Sequence, residues 1–181
     1  KVISLLAEGV RDGAAARAAS DSLYTDKQGK VTCTLNIVSI DLQSSTAVLT
    51  RNNPAPFFIA HDDRVDCISS PSTPIGISLS VRPVISEVAL EPGLMIAVYT
   101  DGLVHAGERL GRPMDVCTSL KAMLEDQEPT PQAIADALLA EAMTLDENRP
   151  ADDISVVVLK VLPHGGDDVR RMSIRLPIGA G

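Results

Sequence analysis

The sequence predicts an α+β fold in which sheet layers are covered by helices, and three observations carry the prediction. Helical spacing occupies the opening, with Val2, Leu5 and Leu6 on one face and an alanine-rich run from Ala14 to Tyr24. Alternating, β-branched stretches fill the middle, beginning with KVTCTLNIVSIDL. Period-3.6 apolar spacing then returns over 114–125 and 131–143 before a closing apolar run, ISVVVLKVL.

Taken in order, Lys1 to about Val10 is expected as a helix and Asp12-Gly13 as the turn to a second helix. The strand from Lys30 to Leu42 should pair with Ser45 to Arg51 as an antiparallel hairpin about Gln43-Ser44, with Asn52-Asn53-Pro54 ending the second strand. Short strands are expected at Phe57 to Ala60 and Val65 to Ile68, joined by the turn His61 to Arg64. The loop SSPSTPIG, whose prolines donate nothing to a ladder, belongs at an edge or rim. Val84 to Leu90 and Leu94 to Thr100 read as a further strand pair about Glu91-Pro92-Gly93. Thr130-Pro131 caps the second late helix. The closing strand, Ile154 to Leu162, is apolar enough to be central in its sheet. Residues 1–162 form one domain, and 163–181 an extension in which VRRMSIRLPI could add a strand.

Composition narrows the function. A formal charge of −8 repels phosphate backbones and anionic lipid, so nucleic-acid and membrane-surface binding are not expected. With two Phe, two Tyr and no Trp, an aromatic cofactor cage is not expected either. Three cysteines, Cys33, Cys67 and Cys117, lack the spacing of a zinc or redox motif and read as small core residues in a reducing compartment. No apolar run would span a bilayer, and the expected setting is cytoplasmic.

Two acidic motifs stand at strand ends. Asp101 follows Tyr99-Thr100 where an apolar run stops, and Asp152-Asp153 directly precedes the closing strand. If those strands lie side by side and antiparallel, the carboxylates meet at one rim. Their repulsion is relieved by a divalent cation, and hard oxygen donors suit magnesium or manganese. Gly102 lets the backbone turn sharply and approach a ligand closely. His105 is expected as an exposed polar residue in the turn after Asp101, and His61 and His164 in polar turns. Asn52 and Asn53 are candidates to hydrogen-bond a substrate, with a turn role as the ordinary explanation.

With TDGL and ADDISVVVL in place, the sequence resembles the stage II sporulation protein E-like group of metal-dependent serine/threonine phosphatases, relatives of protein phosphatase 2C. ARAASDSLY before GKVTCTLNIVSIDL, RNNPAPFFI, STPIGI and EPGLMIAVYTDGLVHA agree with that group over roughly Lys1 to Leu162. The resemblance implies a four-layer α-β-β-α sandwich of two antiparallel sheets and a two-metal centre of Mn2+ or Mg2+ at one end. Asp101 and Asp152 would be ligands there, with Asp153 as neighbour or substitute and Gly102 as backbone close to the metal. It implies hydrolysis of phosphoserine or phosphothreonine on a regulatory protein of the anti-sigma-factor antagonist type, with an upstream sensory module as a further partner. The competing class is a catalytically inactive, phosphatase-like binding or scaffold module. The group's first metal acid lies in an Asp-x-x-Gly-His-Gly segment before its first long helix; that segment is expected upstream of Lys1, and the fold is expected to be incomplete at its N-terminus.

Overall fold

Helix α1 (Val2–Ala7) is short and is followed by the long α2 (Asp12–Lys27), which buries Gly13, Ala15, Ala16, Ala19 and Ser20. The computed structural model describes residues 1–61, 64–125 and 128–163. Asp12 and Gly13, expected as an interhelical turn, are instead the first two residues of α2. An acid is favourable in a first helical turn because the free N–H groups there carry partial positive charge. A Cβ on Gly13 would lie 2.7 Å from Ile85 Cδ1, so its lack of a side chain serves helix-on-sheet packing.

Strands β1 (Leu35–Asp41) and β2 (Thr46–Asn52) form the expected hairpin, with Leu35 opposite Asn52 and Asp41 opposite Thr46. At its turn the Asp41 carboxylate accepts from the N–H groups of Gln43 (2.7 Å) and Ser44 (3.2 Å), and these bonds hold its pKa below the usual value. The ladder of β1 starts later than the sequence suggests. Over 31–34 the described strand pairing is a single backbone bridge between Cys33 and Ile75.

The remaining strands are β3 (Phe57–His61), β4 (Arg64–Ile68), β5 (Val84–Ala89), β6 (Met95–Tyr99) and β7 (Val156–Lys160). Among the described residues they make one sheet of order β1-β2-β5 and one of order β4-β3-β6-β7, with antiparallel neighbours throughout. The expected pairing of β5 with β6 is therefore corrected: they belong to different sheets. Burial explains why. Strand β5 alternates between half-buried and exposed positions, whereas every residue of β6 is buried, so β6 needs neighbours on both sides and cover on both faces. Strand β7 corrects a second expectation, since it closes its sheet at the side of β6 and leaves Val157 half exposed. Its apolar character reflects helix cover on one face rather than a central place.

Alternation along β3 and β6 sorts the core. Phe57, Ile59, Ile96 and Val98 meet Ala47 and Leu49 of β2 between the sheets. Phe58, Ala60, Met95, Ala97 and Tyr99 face the other way. There they meet Leu120 of α4 (Val116–Glu125) and Ile134 and Leu138 of α5 (Pro131–Leu145), the latter capped by Thr130 as expected. With α2 against the outer face of the three-stranded sheet, the order is α-β-β-α. Burying a phenylalanine such as Phe58 contributes about 2 kcal/mol.

Arg51 is 1% exposed and donates from Nη1 to the carbonyls of Asn53 (3.0 Å) and Ala55 (3.0 Å) and from Nη2 to that of Ser70. Burial lowers its pKa, with nearby Tyr99 opposing the shift. Asn52 Nδ2 donates to Thr73 O (3.0 Å) and Ser72 Oγ to Arg51 O (2.9 Å), so the proline-rich loop is fastened to the end of β2, as its edge placement required.

The cysteines correct the sequence reading. Cys33 is exposed, and Cys67 of β4 and Cys117 of α4 form a disulfide with Cα atoms 6.3 Å apart. The 50-residue separation hid this, because only packing of α4 beside β4 brings the two together. Residues 164–181, including His164 and the possible extra strand, lie outside the described residues, as do Asp62 and Asp63.

Closing a loop of 50 residues, the bond should stabilise the fold by about 4 kcal/mol in the chain-entropy model. Thermal melts with and without a thiol reductant should differ by roughly 10 °C, and a Cys67→Ser/Cys117→Ser variant should lose that response. Identical melting of the oxidised and reduced protein would show that the bond contributes nothing.

Candidate metal-binding rim

The antiparallel register of β6 and β7 sets Tyr99 opposite Val156, so the residues after one strand meet those before the other. Thr100 N donates to Ser155 O (3.0 Å), Ser155 N donates to Thr100 Oγ1 (2.9 Å), and that hydroxyl donates to Asp153 O (3.1 Å). The Asp101-Gly102 and Asp152-Asp153 backbones are thereby laced together at one end of the four-stranded sheet, as the strand-end argument anticipated.

Asp101 does not sit in a turn. It opens a short helix, α3 (Asp101–His105), whose last residue is the exposed His105. Gly102 is buried inside that helix, where a Cβ would lie 2.5 Å from Asp153 O and 3.1 Å from Asp153 C. The close approach for which glycine is needed is thus to the other acidic motif itself.

Asp101 is half-buried, and its Oδ1 accepts from the Thr34 hydroxyl at 3.3 Å. Asp152 and Asp153 are exposed, and Asp152 Oδ1 accepts from the Asp153 N–H at 2.8 Å. The donors at this rim are oxygens, a set that matches magnesium or manganese in kind. Among the described residues, no group of three or more His, Cys, Asp or Glu side chains stands close enough to hold a metal ion. The rim as described is a pair of carboxylate motifs, not a closed cage.

Asn53 is 1% exposed; its Nδ2 donates to Tyr99 O (3.2 Å) and its Oδ1 accepts from Ala55 N (2.9 Å). Asn52 is fully buried. Asn53 thus serves the turn and the inter-sheet contact, and Asn52 the proline-rich loop through Thr73 O. His61 approaches Glu91 (3.6 Å) and Pro92 O (3.3 Å) at the far end of β3, away from the rim.

Sequence reasoning passed over several residues here. Thr34 and Asn36 were only members of a strand pattern, yet Asn36 Nδ2 shares the Tyr99 carbonyl with Asn53 at 3.0 Å. Asp146, 5% exposed, accepts from Gly107 N–H at 3.0 Å and faces Arg109 at 3.8 Å, tying the segment after α3 to the end of α5. Glu8-Gly9, an acid and a glycine shortly before α2, was also passed over; Gly9 has φ +79°. The signal that could have flagged it was the same acid–glycine pairing as at Asp101.

With this architecture established, comparison with known proteins is decisive. The family model for Stage II sporulation protein E (SpoIIE) matches residues 2–162. The chain belongs to the SpoIIE family. It is 23% identical over 158 residues to Stage II sporulation protein E of Bacillus subtilis (strain 168), covering 87% of this chain and 19% of that relative. The chain thus spans about a fifth of that protein's length. Among solved structures, the PP2C phosphatase domain of Bacillus subtilis SpoIIE with a fragment of its regulatory domain superposes with a TM-score of 0.73 at 22% identity, over 89% of this chain and 47% of that one. The Mycobacterium tuberculosis serine/threonine phosphatase PstP/Ppp gives a TM-score of 0.63 at 16% identity, over 90% and 80% of the two chains. The catalytic domain of PstP is also known in complex with two manganese ions, with a TM-score of 0.62 at 16% identity, covering 90% of this chain and 79% of that one. These likenesses establish the PP2C fold for this SpoIIE-family chain.

Gly102→Ala should force Asp153 away from α3 and cost about 1–3 kcal/mol, as overpacking does. Chemical denaturation should report that loss, whereas an unchanged midpoint would contradict the close approach.

Proposed function

We propose that this SpoIIE-family chain is the phosphatase part of a metal-dependent serine/threonine protein phosphatase. The observation that carries the reading is the packing of Gly102 directly against Asp153, which joins two acidic motifs distant in the chain at one rim. Asp101 would hold a divalent cation through the carboxylate oxygen that Thr34 does not engage, and Asp152 through the oxygen not turned to the Asp153 N–H, with Asp153 beside it. Manganese or magnesium bound there would supply Lewis-acid stabilisation of charge on a transferring phosphoryl group. The complex of PstP with two manganese ions supports a two-metal centre.

A phosphoserine or phosphothreonine on a regulatory protein, of the anti-sigma-factor antagonist type, is the proposed substrate, and an upstream sensory module the proposed regulator. The exposed position of Asp152 and Asp153 favours a protein surface over a small enclosed substrate. A cavity of about 680 Å3 lies instead beside Met95 and Lys160, at the other end of β6 and β7. No described helix is long and apolar enough to cross a membrane. We place the reaction in the cytoplasm, where the Cys67–Cys117 bond would face reducing thiols.

A second reading, a phosphoprotein-binding scaffold without turnover, is favoured by the lack of a three-ligand cluster among the described residues. The full-length protein with Mn2+ and an aryl phosphate separates the two. Turnover that chelator removes, and that Asp101→Asn lowers on the order of a hundredfold (about 2.7 kcal/mol) without loss of fold, supports the enzyme. Full activity in Asp101→Asn overturns the metal role, and phosphoprotein binding without turnover supports the scaffold. Glu8→Gln in the same assay asks whether the acid near α2 contributes.

A further inference from the structure

We infer that Thr34 is a positioning residue for Asp101, fixing which carboxylate oxygen faces a cation; the inference rests on the metal-dependent phosphatase reading. Its support is geometric. The Thr34 hydroxyl reaches Asp101 Oδ1 at 3.3 Å across 67 residues of chain, and Asn36, two residues on, reaches Tyr99 O at 3.0 Å. Thr34 and Asn36 lie two apart in the chain and Asp101 lies two beyond Tyr99, so the contact to the carboxylate and the contact to the Tyr99 main-chain carbonyl form two rungs of a ladder that joins the start of β1 to the end of β6 and the start of α3.

The ladder has fixed rails. On one side, Cys33 exchanges both backbone hydrogen bonds with Ile75 (3.1 and 2.9 Å), and Leu35 is in register with Asn52, so the backbone on both sides of Thr34 is held. On the other, the Tyr99 carbonyl is gripped a second time by the buried Asn53 at 3.2 Å. Asp101 starts a helix of only five residues whose preceding residue, Thr100, makes no side-chain cap. The Thr100 hydroxyl is turned to Asp153 O and Ser155 N instead. Among the described residues, the Thr34 bond is the contact of this segment that acts on the carboxylate itself.

A neutral hydroxyl donating to one oxygen orients a carboxylate without neutralising it, leaving Oδ2 as the charged donor to a cation. Threonine suits this task because its branched Cβ restricts χ1, so the held backbone on either side of Thr34 limits the hydroxyl direction. Loss of such an outer contact typically weakens metal binding by about 10–100-fold.

The test is Mn2+ affinity of the full-length protein, measured by electron paramagnetic resonance of free Mn2+, beside thermal melting of each variant. Thr34→Val, nearly isosteric but without the donor, should raise the Mn2+ Kd about tenfold with little change in melting temperature. Thr34→Ser, which restores the hydroxyl, should return the Kd to within about twofold of wild type; a merely structural role would not show this split. If Thr34→Val binds Mn2+ like wild type while Asp101→Asn binds weakly, the positioning role is overturned and the phosphatase reading stands. If Asp101→Asn binds as wild type does, or the wild-type protein itself binds no Mn2+, both are overturned. Should Thr34→Val melt much lower, Thr34→Ser against Thr34→Ala decides: equal affinities in that pair overturn the inference.

Discussion

The constraint on which the rim depends is the absence of a side chain at residue 102. α3 begins directly after β6, and the segment before β7 must pass beneath it to enter the ladder at Val156. With Asp153 O at 2.5 Å from where a Cβ would be, that passage admits only glycine without displacement of one backbone or the other. Everything acidic at this end follows from that crossing. Two carboxylate motifs 51 positions apart become neighbours, and the Thr100 hydroxyl, accepting from Ser155 N–H and donating to Asp153 O, locks the crossing in place. Like charges gathered at one strand end repel, and solvent or a cation that shares the charge relieves the repulsion. The exposure of Asp152 and Asp153 keeps that repulsion low in the chain alone.

Behind the rim, the sandwich is built so that little can shift. Alternation along β3 and β6 commits one set of side chains to the space between sheets and the other to the helices, and a one-residue slip would exchange the two sets. Arg51 adds a polar lock where alternation gives out, at the end of β2. A buried guanidinium must find acceptors, and here it finds carbonyls from the Asn53–Ala55 turn and from Ser70, drawing two irregular segments onto one strand end. The same turn supplies Asn53 to the Tyr99 carbonyl. Core packing is thereby coupled to the position of the residue two before Asp101.

Much of this was legible from residue patterns, and the failures have physical causes. Helix α5, the β1–β2 hairpin and the nearness of the two acidic motifs follow from local spacing, capping and chain order. The partner of β5 was not legible, because Glu91-Pro92-Gly93 suits a tight hairpin and equally well a crossover between sheets; only the contrast between half-covered β5 and fully covered β6 decides it. The Cys67–Cys117 link and the Thr34–Asp101 contact span 50 and 67 residues, respectively, and no local pattern marks them. Glycine at 102 was recognised as necessary, but what pressed on it was not, since an approaching ligand and an approaching strand impose the same requirement.

The acids of the chain divide by how their oxygens are used, and that division argues for the rim as the place where chemistry is possible. Asp41 and Asp115 bind groups within three residues, and these local hydrogen bonds hold both carboxyls below their usual pKa: the Gln43 and Ser44 N–H groups for Asp41, the Thr118 hydroxyl and then its N–H for Asp115. Both are turn and helix-start devices, with their charge employed by the neighbouring backbone. Asp146 is buried, and its Oδ1 accepts from Gly107 N–H and faces the Arg109 guanidinium, a brace between the α3 segment and α5. Asp101 follows neither pattern. Among the described residues its side-chain donor is a remote neutral hydroxyl, which engages Oδ1 in a half-buried place. A carboxylate needed only to cap or brace would be expected to use the backbone beside it. Asp101 uses instead a hydroxyl 67 residues away, and the proposal that it holds a cation rests on that difference.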